Sequence, residues 1–139
     1  MNTAKPARKY VPKPEGLNLE FHLACLEAGT LCIQRCTDCA LFRHPPRWYC
    51  PSCHSRSYDF APVAGSGRIY SMAVNHFTID RGWADELPYI TAVVELDEGP
   101  RIVGSLRDAG PGEAGLGRPV RVSVEPRGTE FAYLWVDPA

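Results

Sequence analysis

No stretch of this chain approaches the ~18 consecutive apolar residues of a membrane-spanning helix, so no membrane role is expected. The N-terminal MNTAKPARKY lacks the apolar centre of a secretory signal, which points to the cytoplasm, where disulfides are rare. No segment repeats. The glycines at 110, 112, 115 and 117 lack the spacing and the following Lys-Ser/Thr of a phosphate loop. No serine or cysteine stands in a recognisable nucleophile context. A charged fraction of 22% beside 45% hydrophobic residues excludes a disordered or collagen-like chain. What is present is a chain of 139 residues with 13 Pro, 12 Gly and 6 Cys, enough for one ordinary domain or two small modules. In a reducing compartment the six cysteines need an explanation other than disulfides.

The net charge of −1 conceals a partition. Residues 1–15 carry Lys5, Arg8, Lys9 and Lys13 against Glu15, a balance of +3, and Pro6, Pro12 and Pro14 keep this arm from being helical. Residues 16–29 carry only Glu20 and Glu27, a balance of −2, and residues 30–58 are again at +3, with Arg35, Arg43, Arg47 and Arg56 against Asp38. Residues 59–139 stand at −5, with seven arginines against twelve carboxylates. The expected organisation is an extended basic arm over 1–16, a helix and metal ribbon over 17–58, and a barrel over 59–139.

In GLNLEFHLACLEAG the apolar residues Leu19, Leu23 and Leu26 recur at helical spacing, with Phe21 and Ala24 beside them. A short helix over about 19–28 is predicted, with Asn18 as N-cap and Gly29 as the stop. His22 and Cys25 lie on it, and their ordinary reading is a packed histidine and a buried thiol. After Gly65 the segments GRIYSMAVNHFT, YITAVVELD, RIVGSLR, VRVSVEP and FAYLWV read as five strands. Val120, Val122 and Val124 alternate with Arg121 and Ser123, as a half-buried strand requires. Five short strands in this length predict a closed or partly open OB-fold barrel, which makes the fold mostly β with an N-terminal helix and a ribbon. The glycines of 107–119 predict a flexible connector.

Four cysteines stand as CTDC (Cys36, Cys39) and CPSC (Cys50, Cys53). Each Cys-x-x-Cys turn aims two thiolates at one point, and two facing turns make a tetrahedral cage suited to zinc. Iron in a rubredoxin-like site is the chemical rival, because the ligands are the same. Four thiolates leave no open coordination position, so the metal is expected to be structural, folding about 25 residues that have little core of their own. Cys25 and Cys32 have no such partner and read as buried spectators.

A short helix, then LCIQRCTDC, then HPPRWYCPSC, then a Gly-x-Gly lead-in (Gly65, Gly67) to a barrel resembles the acyl-CoA-associated zinc-ribbon/OB-fold family, domain of unknown function 35. The likeness runs from Leu17 onward. Ala40 stands where that family usually has Gly after the first knuckle, and would be strained if a left-handed turn is needed there. His22 falls where an aromatic is common. The resemblance implies a non-catalytic partner of thiolase-superfamily enzymes that bridges subunits, shapes the coenzyme A channel and stabilises its catalytic companion. The basic arm and the helix are most similar to the partner of lipid-transfer-protein-type thiolases. That implies a hetero-oligomer binding a coenzyme A ester and acting as a retro-aldolase in steroid side-chain degradation. Such domains also occur fused to a hydratase-like domain, so the natural product can be longer.

The residues proposed for partner or acyl-CoA contact are Arg43, Arg47 and Arg56 on the ribbon and His76, Phe77, Trp83 and Tyr89 around the 78–88 loop. Phe77 and Tyr89 read equally well as strand-end core residues, and the arginines as a solvated face. The competing function, nucleic-acid binding, needs a basic groove interleaved with stacking aromatics. The predicted barrel is at −5, and the ribbon's +3 falls to about +1 once Zn²⁺ with four thiolates is counted. No nucleic-acid partner is expected. Asp85 beside Glu86, or His76 with Asp80, reads as a solvated loop face, so no independent catalytic set is expected.

Overall fold

The computed structural model describes residues 9–109 and 115–139. Lys5, Arg8 and Pro6 of the arm, and Gly110 and Gly112 of the connector, lie outside the described residues. One helix, α1 (Gly16–Ala28), precedes eight strands. Three of them, β1 (Cys32–Cys36), β2 (Phe42–Arg43) and β3 (Tyr58–Pro62), form an antiparallel sheet in the order β2-β1-β3. The other five, β4 (Ser66–Asn75), β5 (Tyr89–Leu96), β6 (Arg101–Leu106), β7 (Pro119–Arg127) and β8 (Phe131–Pro138), form a barrel in the order β4-β5-β6-β8-β7.

The helix begins earlier than its apolar spacing predicts. Glu15 is the N-cap, without a side-chain cap bond, and Asn18 lies inside the first turn. The turn is made upstream instead, where Gly16 takes a φ of 60° immediately after the proline-bearing arm. The buried face also differs from the predicted leucine stripe: Phe21 and Cys25, one helical turn apart, are buried, while Leu23 is 43% exposed. Gly29 closes the helix at φ 68°.

The ribbon strands are short and carry almost no alternation, so the sequence shows them only as broken pieces. β1 is buried along nearly its whole length because it is central, with β2 on one edge and β3 on the other. Its buried Gln34 is satisfied by chain from the far side of the ribbon: Nε2 donates to the Arg47 carbonyl (2.9 Å) and Oε1 accepts from the Arg47 amide (2.7 Å).

The five predicted barrel strands are all present. Val120 and Val122 face the core with Ile69, Ala92, Val94, Ile102 and Val136. The same cluster includes Phe21 and Cys25 of α1 and Leu31, Cys32 and Ile33 of the ribbon, so helix, ribbon and barrel share one core. The Gly-x-Gly lead-in is required by close approach: a Cβ at Gly65 would strike the carbonyl oxygen of Val122, and one at Gly67 that of Glu95. The barrel is not strictly closed. β6 and β8 run parallel and register only at Ser105↔Trp135 and Leu106↔Val136. Before those two positions β6 and β8 do not pair, and α1 packs against β8.

Candidate metal centre and partner surface

Cys36 ends β1, and Cys39 follows in the turn that leads to β2; Cys50 and Cys53 form the facing turn before β3. In each turn the residue after the second cysteine returns its amide to the first: Ala40 to the Cys36 carbonyl and His54 to the Cys50 carbonyl, both at 2.9 Å. Closing the turn this way needs a left-handed residue, and Ala40 (φ 66°) and His54 (φ 63°) both adopt that conformation despite their side chains. The strain expected at Ala40 is therefore present.

The four sulfur atoms lie within 4.8 Å of one another. Cys36 Sγ and Cys53 Sγ are 3.5 Å apart, as are Cys39 Sγ and Cys50 Sγ. A tetrahedron with Zn–S bonds near 2.3 Å has sulfurs about 3.8 Å apart, so the donor set fits a zinc ion. The Cys39 amide points at Cys36 Sγ (3.5 Å), and that amide above all holds the Cys36 thiol down at about 6. The Cys53 amide is the leading cause of the lowered Cys50 thiol. At Cys36 and Cys50 backbone donors thus favour the thiolate a metal needs, whereas the Cys39 and Cys53 thiols are raised in the close four-sulfur group. Cys25 and Cys32 lie apart from this group. Both are buried, the Cys32 amide donates to Cys25 Sγ (3.3 Å), and burial pushes the Cys25 thiol up to about 12.

The remaining predicted site residues do not converge. Arg43 is buried: one guanidinium nitrogen donates to the Arg47 carbonyl (2.9 Å), and the group lies over the Tyr58 ring. Arg47 and Arg56 face outward, with Arg56 5.3 Å from the centre of the Tyr49 ring. Trp48 and Tyr49, absent from the predicted set, are more than half exposed beside them. His76 and Phe77 stand on the loop after β4, where Phe77 is 78% exposed and so is not a strand-end core residue. Ile79, also unpredicted, is 91% exposed.

Trp83 and Tyr89 instead enter an aromatic stack. The Trp83 ring lies 5.0 Å from Tyr89 and 5.6 Å from Tyr133, which in turn meets Trp135 at 4.9 Å. Arg127 covers Tyr133 at 3.9 Å and Arg107 covers Trp135 at 4.8 Å. Both arginines are paired, to Glu125 (3.1 Å) and Asp137 (2.8 Å). A cavity of about 430 Å³ opens between Trp83, Tyr89, Arg107 and Trp135. Lys9 of the arm bonds Glu86 (3.0 Å) and lies over Trp83, while the Tyr10 amide donates to Asp80 (2.9 Å). The alternation of FAYLWV was a signal for Tyr133 and Trp135 on one side; nothing local marked Arg127 or Arg107 as their covers. Among the described residues no helix is long and apolar enough to cross a membrane.

The chain belongs to the ChsH2 family, in which a rubredoxin-like zinc ribbon precedes an OB-fold. Residues 26–59 match the model "ChsH2, rubredoxin-like zinc ribbon domain", and residues 61–125 match "ChsH2, C-terminal OB-fold domain". It is 42% identical over 100 residues to a probable enoyl-CoA hydratase alpha subunit of Thermomonospora curvata, covering 72% of this chain and 31% of that one. The chain thus spans about a third of that relative's length. It is 30% identical over 115 residues to the benzoylsuccinyl-CoA thiolase subunit BbsA of Thauera aromatica, covering 78% of this chain and 76% of that one. The solved structure of an Ltp2-ChsH2(DUF35) aldolase contains a chain that superimposes with a TM-score of 0.80 at 33% identity, covering 92% of this chain and 98% of that one.

Proposed function

We propose that this chain is a non-catalytic scaffold and activating subunit of an acyl-CoA enzyme of the thiolase superfamily. The observation that carries the reading is the match, along nearly the whole of that chain, to a component of the Ltp2-ChsH2(DUF35) aldolase. The finer reading is retro-aldol cleavage of a steroid side-chain coenzyme A ester in a hetero-oligomer with a thiolase-like subunit.

The chemistry of the site agrees with a supporting role. The four-thiolate group fits a structural metal with no coordination position left for substrate. When bound, the metal supplies a covalent tie between the two knuckles. Cys36, Cys39, Cys50 and Cys53 would hold it, and Gln34 braces the intervening loop through Arg47. The exposed Trp48, Tyr49, Phe77 and Ile79 supply the large apolar anchors that dominate protein interfaces when buried. The cavity beside Trp83, Tyr89 and Trp135 supports contact with the coenzyme A ester, because its rings offer stacking faces to a planar group.

Co-expression with a thiolase-like catalytic subunit tests the reading, with co-purification, aldolase activity and zinc content measured on the same samples. The expected result is a stable complex whose activity is lost when this chain is omitted. A partner that is soluble, fully active and unbound without it overturns the proposal. The stacked aromatics do not make a nucleic-acid platform, because Arg107 and Arg127 beside them are already held by Asp137 and Glu125.

A further inference from the structure

The segment between β4 and β5 pairs with no strand, and the 3₁₀ turn Arg81–Glu86 at its centre buries no residue. Trp83, Glu86 and Pro88 of this segment nevertheless line the cavity of about 430 Å³, whose lining continues onto the barrel at Tyr89, Ser105 and Trp135. Two things hold the turn there. One is the contact of the Trp83 ring with Tyr89 and Tyr133. The other is the N-terminal arm: among the described residues, the hydrogen bond and the ion pair that tie residues 78–86 to the rest of the chain both come from it.

The arm grips the turn at both ends. Asp80 is the N-cap, and its two carboxylate oxygens are divided between the turn and the arm: Oδ1 accepts from the Gly82 amide and Oδ2 from the Tyr10 amide, each at 2.9 Å. Glu86 closes the turn, and its carboxylate meets Lys9 Nζ at 3.0 Å. Between these ends Lys9 Nζ lies 5.0 Å from the centre of the Trp83 ring. The other end of the arm is fixed, because it runs into α1, whose Phe21 and Cys25 belong to the shared core. Pro12 and Pro14 restrict the backbone between the two ends, so less conformational freedom is lost when Lys9 and Tyr10 dock.

We propose that Lys9 and Tyr10 are a latch that holds the Arg81–Glu86 turn down as a lid on this cavity, and that release of the arm lifts Trp83 and opens the cavity to solvent. The latch lies within this chain and does not rest on the subunit reading above. Its contacts are exposed and individually weak, as a releasable closure requires: a surface ion pair is screened by salt, and an exposed hydrogen bond competes with water. The rival is an arm that merely rests on a turn held by the Trp83 ring alone. On that rival, turn and cavity are indifferent to loss of the arm's contacts.

The test uses the full chain with zinc present, in a Trp48→Phe background. Trp48 is exposed on the ribbon, and its removal leaves Trp83 and Trp135, which both line the cavity, as the only tryptophans. Lys9→Ala combined with Tyr10→Pro removes the cation and the amide donor together. The expected result is hydrogen exchange about tenfold faster at the Gly82 and Trp83 amides, with acrylamide quenching of tryptophan fluorescence raised about twofold. Lys13→Ala, in the same arm but outside the latch, leaves both unchanged. Lys9→Glu alone loosens the turn, and adding Glu86→Lys restores its protection, because the ion pair re-forms with its signs reversed. Unchanged exchange in the Lys9→Ala, Tyr10→Pro variant overturns the proposal. So does faster exchange without greater quenching, since the turn then loosens without uncovering the cavity. A Lys13→Ala variant with the same effects overturns it too, because the arm then acts as a whole and not through these two residues. Should the proline variant fail to fold, the reversed pair decides: no loosening by Lys9→Glu, or no restoration by the added Glu86→Lys, overturns the latch.

Discussion

The amide of Ala132 donates to Nδ1 of His22 at 3.1 Å, joining the N-terminal helix to the last barrel strand across 110 positions of sequence. The bond requires an unprotonated Nδ1, so the seam between helix and barrel depends on a neutral histidine. His22 stacks on Phe131, with ring centres 4.5 Å apart, and Phe21 separates it from His44.

Stability should fall in acid because of this pair. Burial lowers both histidines, and His44 is brought from 6.5 to about 4, with the neighbouring His22 adding to the effect. The unfolded chain therefore takes up protons first as pH drops. The contribution is complete above pH ~6.5 and declines from there toward pH ~4, by about 3 kcal/mol for His44 alone. Metal release adds to the loss in acid, because protons compete with the metal for the thiolates. Denaturant unfolding at several pH values checks this: His44→Phe should remove most of the His44 share and leave the metal share in place. Parallel curves for the two proteins would contradict the assignment.

Ala40→Gly should stabilise the metal-loaded chain. A left-handed alanine costs roughly 1–2 kcal/mol, part of which glycine returns through its freer unfolded state, leaving a net gain of about 0.5–1 kcal/mol. Ala40→Val should move the midpoint the other way. The measurement is the urea midpoint with zinc present.

Cys50→Ser removes one corner of the thiolate cage, the sulfur 3.5 Å from that of Cys39. Zinc content should fall below one per chain, and the amides of residues 32–62 should lose hydrogen-exchange protection. Partner binding is expected to drop with them. Retained zinc together with unchanged binding would count against both the ligand assignment and the ribbon's part in docking.

Gly67→Ala should be far worse than an ordinary exposed substitution. Its new methyl would meet the Glu95 carbonyl and approach Val94 Cγ1 to 2.9 Å, where β4 crosses both β5 and β7. A loss of about 2–3 kcal/mol in unfolding free energy is expected, from overpacking against backbone that cannot withdraw. Ser66→Ala, one residue earlier, serves as the control.

The sequence by itself determined the features that local geometry encodes. Two Cys-x-x-Cys turns converge their sulfurs because each turn is built within four residues, and the five barrel strands follow from alternation along each segment. The left-handed strain at Ala40 was legible for the same reason. Tertiary structure decided what rests on residues far apart in the chain. The helix face was one such case: Phe21 and Cys25 are buried because ribbon and barrel meet there, whereas spacing favoured the leucines. Gln34 on Arg47, His22 on Ala132 and Arg127 on Tyr133 carry no local signal, since each side chain finds its partner only after the strands have paired. Even Arg43, one cation of four in the ribbon by sequence, became an internal strut because central β1 drew its neighbouring strand inward. The bond from Tyr10 to Asp80 belongs to the same class: it spans 70 positions and forms only once α1, packed into the shared core, brings the arm past the turn between β4 and β5.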